Sequence, residues 1–318
     1  MRKIAITGAS GMLGTAMLDC FAKVHSVFAT SRSQGLSQTN IKWDMFDLLD
    51  FDVLMQWLNH IQPDVVIHCA AMVNVDACEN QIDLARRTHA GTTEVISNTI
   101  SKWGGRLIYI SSDGVFDGNK KEIYIENDMP NPLSVYGQTK YEGEKVVLNN
   151  EKGIVLRTNI FGWNPKNNFT FAEWILKALI EKKQLNMFTD VFFTPIHVSH
   201  VADTVLKLLN TDLSGIYHIT GNTLLSKYEF ALRMASAFEL STDKILSSSI
   251  DEAGLVAKRP KNMALSNEKL SNALGCNFPT VDDGLDYLRN QYESGWVAKI
   301  KNRNLKLGYR FWEEECAI

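Results

Sequence analysis

The chain opens on RKIAITGASGMLGTAMLDCFA, and no other stretch restricts its fold so tightly. An apolar run of strand length, Ile4 to Thr7, breaks at a glycine and passes straight into a segment that places Leu13, Met17, Leu18 and Phe21 on one helical side. Glycine lets a backbone turn sharply and come close to a pyrophosphate, and a helix N-terminus offers donor N–H groups and a favourable dipole. The spacing is G-x-x-G-x-x-G, which differs from the G-x-G-x-x-G of the common dinucleotide fingerprint. A βα turn that merely needs glycine is the plainer alternative. Three evenly spaced glycines directly after a strand favour a dinucleotide cradle formed by Gly8, Ser10, Gly11, Met12, Leu13 and Gly14.

The rest of the chain continues the alternation. Val-, Ile-, Leu- and Phe-rich runs at 26–30, 64–69, 106–111 and 153–157 read as strands, and amphipathic stretches at 50–61, 82–102 and 134–149 as helices. Near-continuous apolar strands between such helices predict an α/β fold, a doubly wound parallel sheet covered on both faces. Past residue 160 the pattern changes to helices at 169–181, 199–209, 226–238 and 282–292, with short strands near 193–197 and 215–219. The expected division is 1–165 for a nucleotide-binding Rossmann domain, 166–292 for a smaller lobe and 293–318 for a C-terminal extension.

A formal net charge of −3 gives no reason to expect nucleic acid or an anionic membrane as partner. No run of 18 apolar residues occurs, and the N-terminus begins a strand with no export-type apolar region before it. The 5 cysteines lack C-x-x-C spacing, which fits reduced thiols in the cytoplasm, with Cys20 and Cys69 as small core residues. His197 and His200 are close in sequence, but no carboxylate or cysteine stands in register with them. That segment reads as a strand-to-helix connection capped by Ser199, with no metal required.

The chemistry concentrates between residues 107 and 140. Ser112 ends a buried-looking strand, and Tyr136 and Lys140 lie one helical turn apart on a shared face. A free tyrosine, with a pKa near 10, is a poor proton carrier at neutral pH, and a nearby cation favours its phenolate. Ser112 would hold a substrate oxygen while Tyr136 gives or takes its proton and Lys140 keeps Tyr136 competent. A Y-x-x-x-K pair alone is a common surface decoration; the glycine turn upstream gives it weight. After the second strand, Ser31-Arg32 stands where a ribose-binding acid would otherwise be. A hydroxyl beside a guanidinium suits a 2′-phosphate, so NADP(H) is favoured over NAD(H).

PDVVIHCAAMVNVDACE (63–79), ISSDGVFDG (110–118), NPLSVYGQTKYEGEKVV (131–147), LRTNIFG (156–162) and AKRPKNMALSNEKL (257–270) carry a resemblance that spans about residues 1–290. With the glycine turn they resemble the extended short-chain dehydrogenase/reductases. Within these the chain is most similar to dTDP-4-dehydrorhamnose reductases and to their relative, the regulatory β-subunit of methionine adenosyltransferase.

The resemblance implies catalysis by Ser112, Tyr136 and Lys140, with Lys140 also on the nicotinamide ribose. It places Asp44 and Met45 near the adenine, although Asp44 also fits a helix-capping role, and sets Ala70 and Ala71 against the dinucleotide. It adds Val73 and Asp113 to the substrate pocket. It makes the later lobe substrate-binding, interleaved with the first because one late strand returns to the main sheet. The implied substrate is a nucleotide-linked 4-keto-6-deoxyhexose, reduced in deoxysugar and surface polysaccharide synthesis. A regulatory subunit and an epimerase/reductase are the alternatives.

Asn159 and Phe161 lie just past a strand's C-terminal end, where ligands bind in such sheets. Asn168 and Arg259 are phosphate-contact candidates, with a helix cap and a surface ion pair as their plainer roles. The Asp-Glu pair that dehydratases carry after the serine is missing, which disfavours dehydration. Two positions depart from the resembled pattern: Gly114 replaces an aromatic residue, and His89, read as structural, stands where many relatives have Asn. The extension interleaves Lys299, Lys301, Arg303, Lys306 and Arg310 with Trp296, Tyr309, Phe311 and Trp312. It reads as packing on its own substrate lobe or on a second copy of the chain, which leaves a homo-oligomer open.

Overall fold

The computed structural model describes residues 1–166, 168–254 and 257–301. Its first part runs β1 (Lys3–Thr7), α1 (Met12–Phe21), β2 (Ser26–Ser31), β3 (Ile41–Met45), α2 (Phe51–Ile61), β4 (Val65–His68) and α3 (Val75–Asn80). Then come α4 (Ile82–Arg86), a π-helical turn at Arg87–Gly91, α5 (Thr92–Ile100), β5 (Arg106–Ile110), α6 (Val135–Leu148) and β6 (Ile154–Arg157). The later part comprises β7 (Ile160–Phe161), α7 (Phe171–Ile180), β8 (Leu185–Phe188), β9 (Phe192–Phe193), β10 (Ile196–His197), α8 (Val198–Leu208) and β11 (Gly215–His218). It continues with β12 (Leu225–Ser226), α9 (Lys227–Ala237), β13 (Ile245–Ser248), β14 (Asn262–Met263), α10 (Glu268–Leu274), α11 (Val281–Glu293) and α12 (Trp296–Ile300).

Seven strands form one sheet in the order β11-β6-β5-β4-β1-β2-β3, every pair parallel. Successive residues feed opposite faces. Ile4 and Ile6 of β1 enter the core under α1 and α8, whereas Ala5 enters the one under α2 and α5; Val65, Val66 and Ile67 of β4 divide the same way. Burial on both faces explains why these strands read as continuous apolar runs rather than alternating ones. The chain winds outward from β1 to β3, then returns to add β4 on the other side of β1. The crevice at that reversal is where open α/β sheets bind ligands. The turn after β1 and the His68–Ala71 segment after β4 flank it.

A second core gathers Phe161, Trp163, Leu176, Phe193, Phe230, Leu285 and their neighbours from α7, α9 and α11. The chain crosses between the bodies repeatedly, since α8 packs with the first core and β11 completes the main sheet beside β6. The described part of the extension joins the second core through Val297 and Ile300, and Lys301 Nζ lies 2.9 Å from Glu173 Oε1. Arg303, Lys306, Tyr309, Arg310, Phe311 and Trp312 lie outside the described residues. Among those described, no helix is long and apolar enough to cross a membrane.

Candidate active site

The glycine turn packs too closely for other residues. Gly8 has φ +65°, and a Cβ built there would lie 2.6 Å from the Ala70 nitrogen; one on Gly14 would lie 2.4 Å from the Gly8 carbonyl oxygen. The turn is therefore pressed against Ala70, and Ala70 and Ala71 border the same crevice. Gly11 caps α1 without a side-chain hydrogen bond, and the first helical turn carries no acidic residue. The Ser10 and Thr30 hydroxyls are buried without a partner. Open backbone donors, an orphan hydroxyl and no competing carboxylate fit a bound pyrophosphate.

At the far end of the crevice Ser31 hydrogen-bonds the Ser33 carbonyl, while Arg32 is exposed beside it. Asp44 accepts from Trp57 Nε1 at 2.9 Å, and Asp50, not Asp44, caps α2. Met45 is 62% exposed, free to cover a planar group. These residues fit a dinucleotide lying across the sheet edge.

Ser112 and Tyr136 converge. Ser112 ends the segment after β5, accepts from the Gly114 N–H at 3.1 Å and donates to Asp113 Oδ1 at 2.9 Å. Tyr136 sits in the first turn of α6, whose cap, Ser134, accepts from the Gly137 N–H. A methyl group added to Gly114 would lie 3.4 Å from Ser112 Oγ and 3.6 Å from the Tyr136 ring, so hydroxyl and phenol face one small volume. Position 114 tolerates such a group by these distances. Gly137 does not, because its Cβ would come 2.1 Å from the Gly114 carbonyl oxygen.

The electrostatics correct one sequence expectation. Lys140 does not sit against the phenol; its Nζ donates to the Ile110 carbonyl at 2.7 Å and lies 4.0 Å over the Tyr109 ring. Burial therefore dominates Tyr136, pushing it up to about 12, with the Ser112 hydroxyl pulling it down and Asp113 opposing. Burial also draws Lys140 down to about 7, against the pull of Glu144. Glu144 completes a row on α6 with Tyr136 and Lys140, four residues apart each time. It forms a buried two-point pair with Arg157, with Nη2 to Oε2 at 2.7 Å and Nε to Oε1 at 3.0 Å, and accepts from Ser111.

His89 lies in the π turn, buried between two structural seams. The Met72 N–H donates to its Nε2 at 2.9 Å, so the ring proton sits on Nδ1, which donates to the Thr139 hydroxyl at 2.7 Å. Thr139 in turn donates to the Val135 carbonyl. The imidazole thus ties the loop after β4 to α6, edge-on to the Tyr136 ring at 5.6 Å. Burial drives its pKa down to about 2, which keeps it neutral.

Asp113 joins the site directly: its Oδ2 accepts from Asn159 Nδ2, and burial raises its pKa. Val73 is 71% exposed in the loop between β4 and α3. Phe161 departs from expectation. It is 4% exposed and packs edge-on against His197 and Phe230, so it shapes the second core instead of offering a face to ligand.

Asn168 is exposed and accepts from Asn164 Nδ2; it does not cap a helix, because Thr170 and Glu173 form the capping box of α7. Ser199 is not a cap either, since His197 Nδ1 takes the Ser199 N–H at the start of α8. Arg259 pairs with Asp76 at 3.0 Å. Cys20 and Cys69 are only partly buried, and Cys78 is the buried thiol. Sequence reasoning missed Glu144, whose spacing from Lys140 was readable. It also missed Lys227, which carried no motif.

The family model described as RmlD substrate binding domain matches residues 1–293. Methionine adenosyltransferase 2 subunit beta of Rattus norvegicus is 34% identical over 279 residues, covering 85% of this chain and 81% of that protein. The probable low-salt glycan biosynthesis reductase Agl14 of Haloferax volcanii is 27% identical over 285 residues, covering 88% and 95%. Among solved structures, dTDP-4-dehydrorhamnose reductase from Bacillus anthracis in complex with NADP has a TM-score of 0.79 at 27% identity, covering 91% of this chain and 99% of that one.

Proposed function

From its membership of the RmlD substrate binding domain family, we propose that the chain is an NADPH-dependent reductase of a nucleotide-linked 4-keto-6-deoxyhexose. The observation that carries this reading is the convergence of Ser112 Oγ and the Tyr136 ring on one small volume beside Gly114. That volume opens at the same sheet edge as the glycine turn.

Bound NADPH would supply the hydride, held by the residues from Gly8 to Gly14, Ser31, Arg32, Asp44, Met45, Ala70 and Ala71. Reduction of a ketone builds negative charge on its oxygen, which needs oriented donors and a proton. Ser112 orients that oxygen, and Tyr136, half-buried and protonated at neutral pH, delivers the proton. The Ser112 proton rests on Asp113 Oδ1, which Asn159 holds in place, and would turn from that carboxylate to the ketone oxygen when substrate binds. The NADP complex of the Bacillus anthracis reductase and the exposed Arg32 support NADPH over NADH.

The 34% identity to methionine adenosyltransferase 2 subunit beta favours a second reading, a nucleotide-binding partner of another enzyme. NADPH consumption with a panel of nucleotide 4-keto sugars decides between the two. Turnover by the wild type and its loss in Tyr136→Phe support the reductase; no turnover with any sugar, despite NADPH binding, overturns it.

A further inference from the structure

Lys227 opens α9 in the second lobe, immediately after the Ser226 cap, and its charge and that of Asp113, next to Ser112, reach each other. Its ammonium lies 3.2 Å from the centroid of the Phe193 ring and 4.7 Å from that of Phe171. Ring faces stabilise a cation without using its N–H donors. Asp113 is the carboxylate whose charge reaches it, yet both Asp113 oxygens are already engaged, by Ser112 and by Asn159. Among the described residues Lys227 therefore has aromatic neighbours and a distant counter-charge, with no protein acceptor for its three protons. Burial draws it down to about 7, with Asp113 opposing. A half-buried ammonium held by ring faces, with no protein acceptor among the described residues and within reach of the charge of Asp113, is poised for an anionic oxygen brought by a ligand.

We propose that Lys227 holds the sugar-linked phosphate of the substrate, as the second lobe's charged contribution to the site. This rests on the nucleotide-sugar reading above. The other cation considered for that phosphate, Arg259, is already paired with Asp76, which leaves Lys227 as the better-disposed donor. Phe171 and Phe193 hold the ammonium in place, so little side-chain entropy is lost when it meets phosphate.

Calorimetric titration with dTDP, UDP and GDP, and with the matching nucleosides, tests this on wild type, Lys227→Met and Lys227→Gln. NADPH titration of each variant monitors the fold. Removing a charge-assisted hydrogen bond is expected to weaken the best-binding diphosphate by roughly 10–100-fold, with NADPH binding unchanged and nucleoside binding unmoved. Lys227→Gln keeps much of the length and polarity without the charge, and shows the same loss if Lys227→Met disturbs folding. Equal diphosphate affinity in wild type and variants overturns the assignment. So does a wild type that binds none of the three diphosphates. These titrations need no turnover, so a failed reductase assay and a failed Lys227 assignment remain separate results.

Discussion

Tyr136 must release a proton from a place that resists its ionisation. Burial holds the phenol at about 12, and Lys140, the cation expected to help, is drawn toward the Ile110 carbonyl. The ring stays loaded with its proton at every working pH, so the charge on Lys140 becomes the variable. Lys140 is cationic below its folded value of about 7 and neutral above it. With that cation holding the nicotinamide ribose, as the family resemblance implies, kcat/KM is highest on the acid side and falls as pH rises through about 7. Lys227, also near 7, steepens the same limb. His68 and His89 sit at about 3 and about 2 and stay neutral from about pH 5 to 8. A pH–rate profile should therefore show this falling limb and no inflection from either histidine. Replacing Tyr136 by Phe removes the proton donor, and a loss of about 10²–10⁴-fold in kcat with NADPH affinity kept is the expected outcome.

Helix α6 carries the site because its inner face is built to lie close. Gly137 admits the Gly114 carbonyl, the Glu79 carboxylate takes the Val135 N–H at 2.8 Å, and Thr139 receives His89. Two turns further on, Glu144 and Arg157 are buried together, at 0% and 1% side-chain exposure. Removing one partner of such a pair strands the other charge. Glu144→Gln is expected to cost about 3–5 kcal/mol in denaturant unfolding. It should also lower the apparent pKa of Lys140, since Glu144 is what holds that ammonium's charge.

The elements that sequence reasoning found share a property: β1, β4, β5 and β6 are buried on both faces, so their apolar runs are unbroken. Strand β3, IKWDM, was missed because it lies at the sheet edge, mostly exposed, and carries no such run. The π turn at Arg87–Gly91 was also illegible, since it arises from packing of His89 against Met72 and Thr139 rather than from local propensity. The three misplaced caps, Asp44, Asn168 and Ser199, were polar residues near helix starts, where a neighbour, Asp50, Thr170 or His197, had the better geometry.

Across the whole molecule the first core underlies the glycine turn and the second gathers α7, α9 and α11, with β11 and α8 tying the later chain to the main sheet. The glycine turn and the Ser112, Tyr136, Lys140 set were legible because each depends on local spacing. Lys227 was not, since only the tertiary fold brings it toward Asp113. Ligand binding at the sheet edge should stabilise the folded chain, by about 2.7 kcal/mol at one hundred times Kd. Arg32→Ala should narrow the gap between NADPH and NADH in such thermal-shift measurements.

The reductase claim is tested most directly by following the transferred hydrogen. With NADPH deuterated at its transferring position, the wild type is predicted to place deuterium on the carbon of the former ketone of a nucleotide 4-keto sugar, and Tyr136→Phe to place almost none. Tight NADPH binding with no deuterium reaching any of the sugars would contradict the account.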